Sequence, residues 1–252
     1  MINLKTPDWS IENIETVLFD KDGTFIDLHF FWGKMTELRV QKIIEIFNVD
    51  ENLFKSLCLA LGYDINKKKM VPDGITALYS RSKIIELFQK DLEKVGVKTT
   101  CQQLEEIFDQ VCLDFYKNIQ EYTKPINSAI KFIQTLNSYG VKIGIVTSDS
   151  VESTIHTLNH FEWNNLFDCI IGRESSPYTK ESGEPTKLAL KNLQANPKTT
   201  IMIGDAPMDY ISAKNAKIEK TILVATGQIN KKTLATFSPF AIDSLDQIKI
   251  SK

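Results

Sequence analysis

Cysteine and histidine are scarce in this 252-residue chain: four cysteines, none in a Cys-x-x-Cys pair, and three histidines. That scarcity counts against a zinc site and against a disulfide framework. Free thiols suit a reducing compartment. An excess of charge of one sign is missing too. The formal net charge is −2 with 25% charged residues, so no footprint for nucleic acid is present. No apolar run approaches the roughly 20 residues that span a bilayer, and the N-terminus lacks the basic-then-apolar build of a signal peptide. A cytoplasmic protein with no membrane and no nucleic-acid partner is expected. Internal repeats and low-complexity segments are absent as well. What is present is an ordinary globular composition, 42% hydrophobic, long enough for one large domain or two small ones.

The most informative stretch is Thr16-Val17-Leu18-Phe19-Asp20-Lys21-Asp22-Gly23-Thr24. An apolar, β-branched run ends in two carboxylates spaced two apart, then a Gly-Thr turn. Where a strand frays at its C-terminal end, Asp20 and Asp22 can both point into one crevice. Two carboxylates, a glycine and a hydroxyl at a strand end suit Mg²⁺ and a phosphoryl group. Read alone, the same run is also an ordinary strand followed by an Asp-Gly turn.

The organisation after Thr24 narrows this. From His29 to Asn118 the text reads as helices: Thr36 to Phe47, Arg81 to Val95 and Thr100 to Tyr116 carry apolar residues at helical spacing, with a Pro72-Asp73-Gly74 turn in a loop between the first two. From Tyr122 onwards, short apolar strands alternate with amphipathic helices. Strands are expected at Val141–Val146, Cys169–Ile171, Thr200–Ile203 and Thr221–Val224. Apolar strands alternating with helices indicate a parallel sheet covered on both faces. A helical block, residues 29–118, therefore interrupts an α/β domain made of 1–28 and 119–252.

Each later strand end carries a polar group. Ile143–Val146 runs into Thr147-Ser148-Asp149, where a hydroxyl can meet a phosphoryl oxygen or cap the following helix. Lys180 lies in Tyr178-Thr179-Lys180-Glu181-Ser182-Gly183-Glu184-Pro185, with Lys187 a competitor inside the next helix. Ile201-Met202-Ile203 ends in Gly204-Asp205, and Asp209 follows four residues on, where it also suits a helix N-terminus.

Four motifs in this order resemble the haloacid dehalogenase-like (HAD) hydrolase superfamily, and the resemblance covers essentially the whole chain. Asp20-x-Asp22-Gly23-Thr24, Thr147, Lys180 and Gly204-Asp205-x-x-x-Asp209 match its motifs one to four. Around Lys180 the chain departs from the common Lys-Pro-x-Pro: Glu181 and Gly183 replace the prolines, and only Pro185 remains. The resemblance implies a doubly wound, Rossmann-like parallel-sheet core with an inserted C1-type cap, hinged near residues 28–33 and 118–124. It implies Asp20 as nucleophile forming an aspartyl-phosphate, and Asp22 as general acid and then base. It also implies Mg²⁺ held by Asp20, the Asp22 carbonyl and Asp205, with Asp209 binding it through water or orienting those ligands, and with Thr147, Ser148 and Lys180 on the phosphoryl group.

Asp22 separates subclasses, because dehalogenase members lack that second aspartate. A C1 cap together with Asp22 is similar to phosphoglycolate-phosphatase-like members, and implies a phosphatase acting on a small phosphorylated metabolite. Two alternatives stay open: β-phosphoglucomutase-like phosphoryl return to a sugar, and a binding protein that kept the fold without turnover. Substrate choice belongs to the cap, where Arg81, Lys67–Lys69 and His29-Phe30-Phe31-Trp32 are candidates. The plainer readings are Arg81 as a surface helix residue and the aromatic run as packing at the hinge. The sequence leaves substrate and oligomeric state open.

Overall fold

The computed structural model describes residues 1–252. The chain forms two compact units, Met1–Asp27 with Pro125–Lys252, and Leu28–Lys124. The first opens with strands β1 (Ile2–Lys5), β2 (Ser10–Ile14) and β3 (Thr16–Phe19). The second holds helices α1 (Leu28–Phe47) and α2 (Phe54–Ala60), the hairpin β4 (Tyr63–Asp64) and β5 (Lys69–Met70), and helices α3 (Ile75–Leu78), α4 (Arg81–Lys94), α5 (Cys101–Lys117) and α6 (Ile119–Tyr122). The first unit resumes with α7 (Asn127–Ser138), β6 (Lys142–Val146), α8 (Val151–His160), β7 (Cys169–Ile171) and α9 (Glu184–Asn192). It ends with β8 (Thr200–Gly204), α10 (Pro207–Asn215), β9 (Lys220–Val224), α11 (Lys231–Leu234), β10 (Ala241–Ile242) and β11 (Lys249–Ser251).

Six strands make one sheet in the order β10-β9-β8-β3-β6-β7, every pair parallel. All four residues of β3 are buried, so no polar–apolar alternation is visible in its sequence. The reason is cover on both faces. Successive strand side chains point to opposite faces. Leu18 joins a cluster with Ala189, Leu190, Met202, Ala213 and Ala216, which brings α9 and α10 onto one face. Phe19 meets the Phe132 ring of α7 at 6.4 Å on the other. This is a doubly wound α/β core. A separate antiparallel sheet, β11-β1-β2, joins the two chain ends.

Within the Leu28–Lys124 unit the helices pack through Phe31, Phe88, Leu92, Leu104, Phe108 and Phe115, all almost fully buried. The helix expected from Thr36 begins earlier, at Leu28, and takes in the His29–Trp32 run. Phe31 meets Phe115 edge-on at 4.9 Å, so tertiary packing draws this run into the helix. Gly33 is needed in that helix by close approach, because a Cβ there would fall 2.5 Å from the Tyr63 ring. α6 carries this unit on to Lys124, beyond the Asn118 boundary read from the sequence.

Candidate active site

The parallel register decides which residues share the carboxyl edge of the sheet. Phe19 of β3 lies level with Ile145 of β6 and Ile203 of β8. Asp20 follows directly, with its N–H donating to the Ile203 carbonyl at 2.8 Å. Thr147 and Asp205 each come two residues past those partners. Backbone pairing thus brings Asp20, Thr147 and Asp205 to one strand edge, and Lys180, from a short turn, and Asp209, from α10, join Asp20 and Asp205 there.

Their side chains form a tight, buried cluster. Carboxylate oxygens of Asp20, Asp205 and Asp209 all lie within 4.8 Å of one another. The Lys180 ammonium donates to Asp20 Oδ1 at 2.6 Å and sits 2.6 Å from Asp209 Oδ1. Lys187 instead pairs with Glu184 at 2.7 Å on an exposed helix face, so of the two lysines only Lys180 enters the cluster. Lys180 reaches it from a short turn that ends at Gly183, whose φ of +79° is left-handed, and Pro185 then opens α9. Asp209 serves two tasks at once: its Oδ2 accepts from the Ala206 N–H at 3.0 Å, capping α10, while Oδ1 faces Lys180.

Three carboxylates against one ammonium leave a surplus of negative charge. Burial pushes the Asp209 carboxyl up to about 6, and neighbouring Asp20 adds to that while Lys180 opposes it. Burial also raises Asp205 well above the usual carboxylate range, reinforced by Asp20 and Asp209. Burial pulls Lys180 down, but the attraction of Asp20 and Asp209 prevails and holds it firmly protonated. A surplus of hard oxygen donors in a small buried space suits a divalent cation of the Mg²⁺ kind. The backbone fits this too. A Cβ at Gly23, where φ is +91°, or at Gly227 would land on the Asp205 carboxylate, so glycine at both places keeps the space around it open.

Asp22 stands outside the three-carboxylate group. Its Oδ1 accepts from the Lys21 ammonium at 2.6 Å, and Lys21, wholly buried, also lies 3.0 Å from Asp149 Oδ2. Burial pushes Asp22 up to about 6 against the opposing pull of Lys21. Thr147 is buried, and its Oγ1 accepts from the Asp149 N–H at 3.1 Å. The helix-capping alternative for Thr147 or Ser148 falls instead to Ser150, whose Oγ accepts from the Ser153 N–H. Ser148 is exposed, with its hydroxyl 3.5 Å from the Met208 sulfur.

Arg81 lies in the other unit, where Glu105 at 2.7 Å and Asp109 at 2.6 Å offset its charge. His29 Nδ1 accepts from the Met70 N–H at 3.1 Å, tying α1 to the hairpin. Neither Asp149 nor Lys21 has a role in the sequence reading. The signal was there in an acidic residue directly after the Thr147-Ser148 pair and a lysine between two aspartates.

The family model described as haloacid dehalogenase-like hydrolase matches residues 46–224, more than half of the chain. The chain belongs to the haloacid dehalogenase-like hydrolase family. The match takes in Thr147, Lys180, Asp205 and Asp209 and begins after the Asp20–Thr24 run. Pyrophosphatase PpaX of Anoxybacillus flavithermus is 24% identical over 237 residues, covering 94% of this chain and 95% of its own. Among solved structures, a "predicted phosphoglycolate phosphatase" from Haemophilus somnus superposes with a TM-score of 0.71 at 14% identity, covering 94% of this chain and 96% of that one. A β-phosphoglucomutase from Clostridium difficile gives 0.61 at 19% identity, covering 93% and 92%. These structures share the HAD fold of a Rossmann-like core with a cap. No helix of the chain is long and apolar enough to cross a membrane.

Proposed function

We propose that this HAD hydrolase is a divalent-metal-dependent phosphatase that cleaves a small phosphomonoester through an aspartyl-phosphate on Asp20. The observation that carries the reading is the buried Asp20 carboxylate, salt-bridged by Lys180 at 2.6 Å and grouped with Asp205 and Asp209. Lys180 donates directly to that carboxylate, which holds it in place for nucleophilic attack.

Asp20 attacks phosphorus in line with the leaving oxygen. Lys180 holds the nucleophile and offsets charge on the transferring group. Asp22 protonates the leaving alkoxide and then takes a proton from the water that hydrolyses the intermediate. Its carboxyl near pH 6 is well poised for both tasks. The Thr147 and Ser148 hydroxyls bind phosphoryl oxygens. Mg²⁺, held by Asp20, Asp205, Asp209 and the Asp22 carbonyl, would offset the repulsion between anionic nucleophile and anionic phosphate. Arg81 is the candidate for reading an anionic group of the substrate. Four unpaired thiols suit action in the cytoplasm.

The similarity to pyrophosphatase PpaX adds a second candidate substrate to the phosphoglycolate-like class. Pyrophosphate offers the same nucleophile the same phosphoryl group with phosphate as leaving group. Phosphate release from phosphoglycolate, sugar phosphates, nucleotides and inorganic pyrophosphate, with Mg²⁺, with EDTA and with Asp20→Asn, tests the reading. Turnover that requires both metal and Asp20 supports it and ranks the substrates. Isomerisation of hexose phosphate without net release supports the mutase alternative. Silence throughout from folded protein supports a binding role.

A further inference from the structure

Lys21 is the one wholly buried lysine that the proposed chemistry leaves without a task. Its ammonium lies 2.6 Å from Asp22 Oδ1 and 3.0 Å from Asp149 Oδ2. Asp149 is itself fixed. Its Oδ1 accepts from the Ser150 N–H at 2.8 Å, its own N–H donates to Thr147 Oγ1 at 3.1 Å, and its carbonyl accepts from the Arg173 N–H at 2.9 Å. Asp149 belongs to the loop after β6, the strand paired with β3. An unbroken chain of contacts therefore runs from the Thr147 loop through Asp149 and Lys21 to one oxygen of Asp22. A buried ammonium between two carboxylates is costly to assemble and hard to displace once formed.

We propose that Lys21, anchored by Asp149, is a positioning residue that sets the Asp22 carboxyl for proton transfer to the leaving oxygen. The inference rests on the phosphatase reading above. In the step concerned, the bond from phosphorus to the leaving oxygen breaks as the bond to Asp20 forms, and the Asp22 proton moves to the leaving oxygen. In the next step water attacks phosphorus, its proton goes to Asp22, and the bond to Asp20 breaks to free phosphate. The Lys21 contact at Oδ1 fixes the rotation of the carboxyl group about its Cβ–Cγ bond. A general acid works only from a defined place.

A leaving group's own basicity separates positioning from mere support of the fold. An alkoxide must be protonated as it departs, whereas p-nitrophenolate leaves readily without a proton. For Lys21→Met, kcat/KM on an alkyl phosphate such as phosphoglycolate should fall at least about tenfold more than on p-nitrophenyl phosphate. Asp149→Asn, which loosens the anchor but leaves Lys21 in place, should show the same preference to a smaller degree. It carries the test if Lys21→Met does not fold. The double variant Lys21→Met with Asp149→Asn removes one of the two carboxylates left without their cation, so it should recover part of the lost thermal stability while keeping the leaving-group preference. Equal losses on both substrates, or unchanged kcat/KM on both, overturn the positioning role. A wild-type protein that hydrolyses neither substrate with Mg²⁺ sinks the phosphatase reading itself, and this inference with it.

Discussion

Two sets of ion pairs, one from each unit, look alike by distance and differ in burial and in separation along the chain. In the Met1–Asp27 and Pro125–Lys252 unit, Lys180 meets Asp20 at 2.6 Å and Lys21 meets Asp149 at 3.0 Å, with side chains no more than 11% exposed. In the Leu28–Lys124 unit, Lys83–Glu86 and Lys94–Asp91 are 2.7 Å apart but join neighbours on exposed helix faces. The exposed pairs cost little to form and matter little. The buried ones bring together residues remote in sequence, and desolvation makes them expensive. Nothing about folding alone calls for three carboxylates and a lysine at one strand edge, because apolar residues would fill that space at lower cost. Separation in sequence together with burial, rather than distance, marks the pairs that carry function.

The sharpest way to break this contrast is Asp20→Asn. It changes one atom and keeps the shape, yet turnover should fall by at least roughly a thousandfold in a phosphate-release assay. Retention of a tenth of the activity would remove Asp20 from the chemistry. Lys180→Met comes next. It leaves buried carboxylates without their cation, so metal-free protein should lose about 3 kcal/mol in denaturant unfolding. Lys187→Met, seven residues on, should change stability by no more than roughly 0.5 kcal/mol and leave turnover intact. Similar results for the two lysines would erase the distinction drawn between buried and exposed pairs.

A third test uses pH. Asp205 is held above its unfolded value, so the folded state retains a proton there longer than the unfolded state does. That contribution is fully present below the ordinary carboxylate range and is lost as pH rises through the raised value. Asp205→Asn should therefore raise the melting temperature of metal-free protein near pH 7 by roughly 2–4 °C, and do nothing near pH 3. Mg²⁺ should stabilise the wild type and no longer stabilise the variant. A gain at low pH instead would reverse the sign of the account. The smallest effect is expected from Arg81→Ala. Its pairs with Glu105 and Asp109 are partly exposed, so stability should change by less than about 1 kcal/mol. A higher KM at constant kcat would show that Arg81 reads the substrate.

Much of this was legible before any coordinates. Strand–helix alternation located the sheet, because parallel strands buried on both faces read as continuous apolar runs, as in Thr16–Phe19. Asp20, Thr147 and Asp205 come to one edge because parallel register aligns the ends of β3, β6 and β8. Lys180 held its place without the usual prolines, since Gly183 and Pro185 shape the turn between them. Other features were hidden for physical reasons. β1 pairs with β11 from the far end of the chain, and four residues give too short a pattern to signal a strand. The early start of α1 depends on Phe31 meeting Phe115 and on Tyr63 closing over Gly33, which are tertiary facts. The Lys21–Asp149 pair is of the same kind, as no local spacing says that a lysine will turn inward toward a loop on the next strand.

The central claim is that Asp20 carries the phosphoryl group. Rapid acid quench of enzyme with Mg²⁺ and the best substrate, followed by peptide mass spectrometry, measures this directly. A hydroxylamine-labile phosphoryl adduct on the peptide holding Asp20, formed and lost within a turnover and absent from Asp20→Asn, is the predicted result. Turnover without any adduct on that peptide, or an adduct on another residue, would contradict it.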